Sequence, residues 1–236
     1  MDKIVLRRPF FVVNPKSYLY GEKLRRLARK TDGLCERYGF QSLFTAQLID
    51  LAWVADNCPH LIPCAQAMES LRPGRGMGHV LPEALAAAGV RATFLNHAET
   101  PMTVGELART VARAREVGIL TCACADSVEE AKAIAELHPD IMTCEPNSLI
   151  GTGRIAGGDY IRASTEAVKS VSPGTMVLQA AGISTGQDVY DAIHYGGDAT
   201  GGTSGIVCAG DPEAKLEEMF EALGRVRADI QGEARP

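Results

Sequence analysis

The chain has no apolar run near the roughly 20 residues that a membrane-spanning helix needs, so no membrane partner is expected. Its N-terminus, MDKIVLRRPFFVVN, passes from charges straight into a strand-like segment. It lacks the apolar stretch and small-residue cleavage site of a secretion leader. No basic stripe is present. The net charge is −5, with acids and bases interspersed, which argues against a nucleic-acid partner. An anionic ligand would have to be held by local groups rather than by the field of the whole molecule. The seven cysteines are odd in number and irregularly spaced, so they form no disulfide framework. Cys122 and Cys124 share one strand face, but a metal site needs two more ligands nearby, and none is evident. These thiols are expected to be reduced and mostly buried, in a cytoplasmic protein. No composition shift marks a linker. No glycine-rich turn follows the first strand, where a dinucleotide-binding open sheet would carry one.

What is present is an alternation. Short apolar, β-rich runs occur at 10–14, 42–47, 61–66, 92–96, 119–124, 141–145 and 176–181, with a weaker one at 199–204. Near-continuous apolar runs suit parallel strands buried on both faces. Helical spacing lies between them: Leu107, Val111, Ala114 and Val117 form one stripe, and Val128, Ala131, Ala135 and Leu137 another. Thr103 with Glu106 and Ser127 with Glu130 fit capping boxes, and Asp211-Pro212 fits an N-cap followed by proline. Gly39, Gly89 and Gly118 stand where helices should stop. Eight such repeats over 236 residues average about 30 residues each, as a βαβ unit requires. The expectation is an α/β fold, a single (β/α)8 barrel over 1–236, with a frayed polar tail at 231–236.

In a parallel barrel the C-terminal ends of the strands face one shared mouth. The first strand ends in Asn14 and Lys16, the fourth in Asn96, His97 and Glu99, and the sixth in Glu145. One by one, such residues are often solvated or structural; their gathering at one end of the barrel makes them candidates for chemistry. Glycine-rich turns follow the sixth, seventh and eighth strands: Gly151-Thr152-Gly153, Gly182-Ile183-Ser184-Thr185-Gly186 and Gly201-Gly202-Thr203-Ser204-Gly205. That corner is where such barrels commonly bind phosphate.

Five segments make a closer likeness. They are Asn14-Pro15-Lys16-Ser17-Tyr18, Gly78-His79-Val80-Leu81-Pro82-Glu83-Ala84, Leu95-Asn96-His97-Ala98-Glu99, Glu145-Pro146 through Leu149-Ile150-Gly151-Thr152-Gly153, and Ala181-Gly182-Ile183-Ser184-Thr185-Gly186. In this order and over nearly the whole chain, they resemble the triosephosphate isomerase family, and within it the short archaeal type. The resemblance implies an aldose–ketose isomerase of glycolysis and gluconeogenesis, interconverting D-glyceraldehyde 3-phosphate and dihydroxyacetone phosphate through an enediolate. It implies Lys16 as fixed positive charge with Asn14 beside it, His97 as electrophile, Glu145 as base and Glu99 as supporting carboxylate. It implies phosphate ligands at Gly151, Gly182, Ser184, Ser204 and Gly205. The implied lid spans 146–155, with Pro146, Asn147, Ser148, Gly151, Thr152 and Gly153 in it. The only partners implied are a small phosphorylated sugar and further copies of the chain, in a tetramer or a dimer. Proton transfer without net redox change asks for no cofactor and no metal.

Three positions depart from the family pattern. Ala98 replaces the usual Ser after the histidine, the lid opens with Pro146-Asn147-Ser148, and the last strand carries Gly201 and Gly202 where the archaeal type has aliphatic residues. Losing those side chains leaves a space for neighbours or a larger ligand to fill. This keeps two alternatives in view: the same chemistry on a tetrulose phosphate or another short sugar phosphate, and a non-catalytic phosphate-binding barrel.

Overall fold

Parallel strands buried on both faces need a helix after each one, and the chain supplies it. The computed structural model describes residues 4–233. Its strands are β1 (Phe10–Val13), β2 (Ser42–Ala46), β3 (Leu61–Ala65), β4 (Ala92–Leu95), β5 (Leu120–Ala125), β6 (Ile141–Cys144), β7 (Met176–Gln179) and β8 (Ala199–Gly202). All pair in parallel, each with the next in sequence, and β8 returns to β1 to close an eight-stranded barrel. The helices are α1 (Gly21–Tyr38), α2 (Leu48–Asn57), α3 (Pro82–Ala87), α4 (Val104–Val117), α5 (Val128–Ala135), α6 (Gly158–Val171), α7 (Gly186–His194), α8 (Ser204–Val207) and α9 (Pro212–Glu233). The chain is therefore a (β/α)8 barrel.

Strand alternation sorts the core into two parts. Phe10, Val12, Leu43, Phe94, Ile141 and Leu178 fill the barrel interior, with the small Ala92, Cys122 and Ala199 among them. Phe11, Val13, Phe44, Val177 and their neighbours face outward onto the helices. Phe220 of α9 sits among Phe11, Tyr38 and Phe40, so the last helix is packed against the first strand–helix unit.

The helix caps match the sequence in part. Thr103 and Ser127 accept hydrogen bonds from the backbone N–H of Glu106 and Glu130. Neither pair forms the reciprocal half of a capping box, because Glu106 instead takes the Ser70 hydroxyl and Glu130 the backbone N–H of Asp126. The complete box is Thr185 with Asp188, at the start of α7. Asp211 caps α9 through the N–H groups of Glu213 and Ala214. That helix continues through Gln231, Gly232 and Glu233, where the sequence predicts fraying. The rest of the predicted tail, 234–236, lies outside the described residues.

Candidate active site

Lys16 follows β1 in a left-handed conformation, φ 45°, which costs a non-glycine residue roughly 1–2 kcal/mol. Three side chains hold it there. Asn14 Oδ1 accepts from the Lys16 N–H at 3.0 Å. Gln66 Nε2 donates to the Lys16 carbonyl at 2.9 Å, and Gln47 Nε2 does so at 3.4 Å. Asn14 is itself oriented by the Thr45 hydroxyl at 2.5 Å. The result aims the Lys16 ammonium at Glu99, 2.6 Å away. That bond holds the Glu99 carboxyl below the usual carboxylate range.

His97 is buried at the end of β4. Its Nδ1 accepts the backbone N–H of Glu99 at 3.1 Å. An accepting Nδ1 carries no proton, so the ring proton of the neutral form sits on Nε2 and points into the mouth. Burial first, then the Lys16 charge, lower the pKa of His97. Both effects favour the neutral ring.

Glu145 ends β6. Its Oε2 lies 3.9 Å from His97 Nε2, too far for a hydrogen bond. No hydrogen bond from another described residue holds its carboxylate. Burial raises its pKa, an effect that outweighs the opposing charge of Lys16. The site thus joins a fixed cation, a neutral N–H donor and a desolvated carboxylate on a cavity of about 280 Å³.

The opposite wall of that cavity comes from the glycine-rich turns: Gly151, Gly182, Gly202, Thr203 and Ser204 line it. Ser184 and Gly205 are not part of the lining. The N–H and the hydroxyl of Ser184 both donate to the Asp188 carboxylate, at 2.9 and 3.2 Å. The signal was present in the sequence, since Thr185 and Asp188 have capping-box spacing. The lid segment contains a short 3-10 turn at Asn147–Leu149, and Thr152 bonds back to the Leu149 carbonyl. Ile150 and Gly151 bring it to the cavity, while Asn147, Ser148, Thr152 and Gly153 are exposed. Gln47 and Gln66 were not singled out from sequence, although each is the polar residue that closes its predicted strand.

Neighbouring backbone approaches the glycines of β8 closely. A Cβ on Gly201 would lie 2.0 Å from the Val12 carbonyl oxygen, and one on Gly202 would lie 3.1 Å from that of Ile183. Neighbouring backbone thus takes up the Cβ positions of these two glycines, which also line the cavity. Among the described residues, no group of three His, Cys, Asp or Glu could hold a metal ion.

The sequence profile described as triosephosphate isomerase matches residues 9–197. This chain belongs to the triosephosphate isomerase family. The triosephosphate isomerase of Methanothermus fervidus is 34% identical over 221 residues, spanning 92% of this chain and 99% of the relative. That of Methanopyrus kandleri is 36% identical over 225 residues, 93% of this chain and 100% of the relative. That of Methanocaldococcus jannaschii is 30% identical over 217 residues, 90% and 99%. These relatives are archaeal, as the motifs imply. The triosephosphate isomerase match ends before β8, so the glycine-rich strand lies outside it.

Proposed function

We propose that Lys16, His97 and Glu145, with Asn14 and Glu99 in support, interconvert D-glyceraldehyde 3-phosphate and dihydroxyacetone phosphate. The observation that carries this reading is the convergence of three unlike groups on one cavity. A carbon next to a carbonyl is a very weak acid. A desolvated carboxylate such as Glu145 is a stronger base than a hydrated one, and it works only when placed within about 3 Å of the proton. As the proton leaves carbon, negative charge grows on the carbonyl oxygen. His97 Nε2–H donates to that oxygen, and Lys16 supplies fixed positive charge beside it. A Glu base with a neutral His is the known tuning of this family. His97 passes the proton of the substrate hydroxyl across to the former carbonyl oxygen, and Glu145 returns the carbon-bound proton to the adjacent carbon, so every proton is accounted for and no redox cofactor takes part.

The substrate phosphate is assigned to the glycine-rich turns, on the backbone N–H groups of Gly151, Gly182 and Ser204 at the cavity and of Gly205 next to Ser204. Its binding helps to seat the lid and exclude water. The chain is placed in the cytoplasm, which suits its seven unpaired cysteines. Among the described residues no helix is long and apolar enough to cross a membrane.

The test is turnover of D-glyceraldehyde 3-phosphate by the pure protein, with the product read through a coupled dehydrogenase. A kcat/KM in the range of about 10⁷–10⁸ M⁻¹s⁻¹ is expected. Glu145→Gln should remove at least about 10³-fold of it. Activity indifferent to that substitution would refute the assignment.

Association with further copies is proposed from a patch beside Lys16. Tyr18, Tyr20, Leu48 and Ile49 are exposed there. Their two loops are joined by Gln47 to the Ser17 hydroxyl and by the Gly21 N–H to Asp50. An apolar patch of this kind marks an interaction surface. Light scattering should show an oligomer, a tetramer or a dimer, that Tyr20→Glu with Ile49→Glu weakens; a monomeric wild type would rule it out.

A further inference from the structure

Behind the His97–Glu145 pair lies a second cavity of about 120 Å³, with Ala98, Asp126, Glu130 and Asn147 in its walls. Ala98 offers only a methyl group there. Among the described residues no hydrogen bond fixes the Glu145 carboxylate on that side, so its position depends on how firmly the backbone on either side is held. Pro146 has no N–H and a fixed φ. The first backbone donor after the base is therefore the N–H of Asn147, and a bond made there acts on Glu145 through a stiff link. That N–H donates to Asp126 Oδ1 at 2.5 Å.

Asp126 is tied in turn to the histidine side of the site. Its own N–H donates to Glu130 Oε2 at 2.7 Å. Glu130 Oε1 accepts from Asn96 Nδ2 at 3.3 Å. Asn96 directly precedes His97 and sits in a left-handed conformation, φ 56°. Its side chain closes that turn by donating to the Cys124 carbonyl and accepting from the Met102 N–H. One hydrogen-bonded chain thus runs from the backbone beside His97, through the start of α5, to the backbone beside Glu145. We propose that Asp126 and Glu130 are positioning residues, which set the distance between the base and the electrophile by pinning the first residue of the lid. This inference rests on the isomerase reading of the site. A displacement of about 1 Å at reacting groups can lower a rate 10²-fold, so a polar bridge far from the substrate phosphate can govern the chemical step.

The test uses the full chain with Asp126→Ala and Asp126→Asn, both at an exposed position. The asparagine keeps a carbonyl oxygen able to accept from Asn147; the alanine does not. Asp126→Ala should lower kcat about tenfold with KM within about twofold, the signature of an interaction that acts on the chemical step. Inhibition by inorganic phosphate and the melting temperature should stay near wild type. Asp126→Asn should recover kcat to within about threefold. Wild-type kcat in Asp126→Ala, equal losses in both variants, or a loss confined to KM would each overturn the proposal. Amide exchange at Asn147, followed by NMR, reads the pin without substrate. It should be slow in wild type and Asp126→Asn, and fast in Asp126→Ala. A wild type inert on triose phosphate would refute the reaction, whereas equal exchange rates would refute the pin.

Discussion

A base that takes a proton from carbon gains strength by losing water, and Glu145 shows both sides of that exchange. Burial lifts its pKa above the ordinary 4.5. In the proposed reaction its ionised form is the active one, so kcat/KM should fall on the acid side at a pH higher than an ordinary carboxylate gives; an acid limb at or below 4.5 would contradict the desolvation. Stability has the opposite sign. The folded chain binds the Glu145 proton more readily than the unfolded chain does. Stability is therefore greatest below the unfolded pKa and is lost as pH rises through the elevated folded value. Glu145→Gln should melt a few degrees higher than wild type at pH 7, with the gap closing toward pH 4. His97 acts on stability in the other direction. Its folded pKa is depressed, so its contribution is present above the ordinary 6.5 and lost as pH falls through the folded value.

At the scale of elements, two glycines decide how segments meet. Gly182 follows β7 with φ 72°, and a Cβ there would lie 2.0 Å from the Arg154 carbonyl oxygen. The far end of the lid is thus seated on the glycine. Gly182→Ala should displace that seat, lower kcat/KM at least about tenfold and speed proteolytic cleavage of the lid; wild-type kinetics in this variant would show that the contact is dispensable. Gly201 lets β8 approach β1 more closely than any side chain allows. The strands were legible because apolar runs bounded by turn residues mark them well. Their polar closing residues Asn14, Asn96 and Glu145 were legible too, because a parallel barrel sends every strand end to one mouth. The bond from the Ser184 N–H to Asp188 was not legible, because a free N–H and one taken by a carboxylate four residues on look alike until the turn is built.

For the whole molecule, barrel closure hides almost every thiol. Cys35, Cys58, Cys64, Cys122, Cys124 and Cys144 are buried, and Cys208 is exposed. Burial pushes Cys58 up to about 11 and Cys35 and Cys144 up to about 12. A thiol reagent should titrate one cysteine quickly in the native protein and the other six only after unfolding. Fast reaction of three or more would mean that the barrel opens readily.

The amino-acid pattern alone determined the order of strands and helices, the parallel barrel and the candidate trio Lys16, His97 and Glu145. Periodicity and strand-end chemistry are local properties, and the barrel topology converts them into a common site. Only the tertiary structure decided the state of each group. The proton on His97 Nε2 depends on a backbone N–H two residues away. The basicity of Glu145 depends on burial by several elements. The link from Asn147 through Asp126 and Glu130 to Asn96 depends on three strand ends meeting. Distances and desolvation arise between residues remote in sequence, so no local pattern carries them.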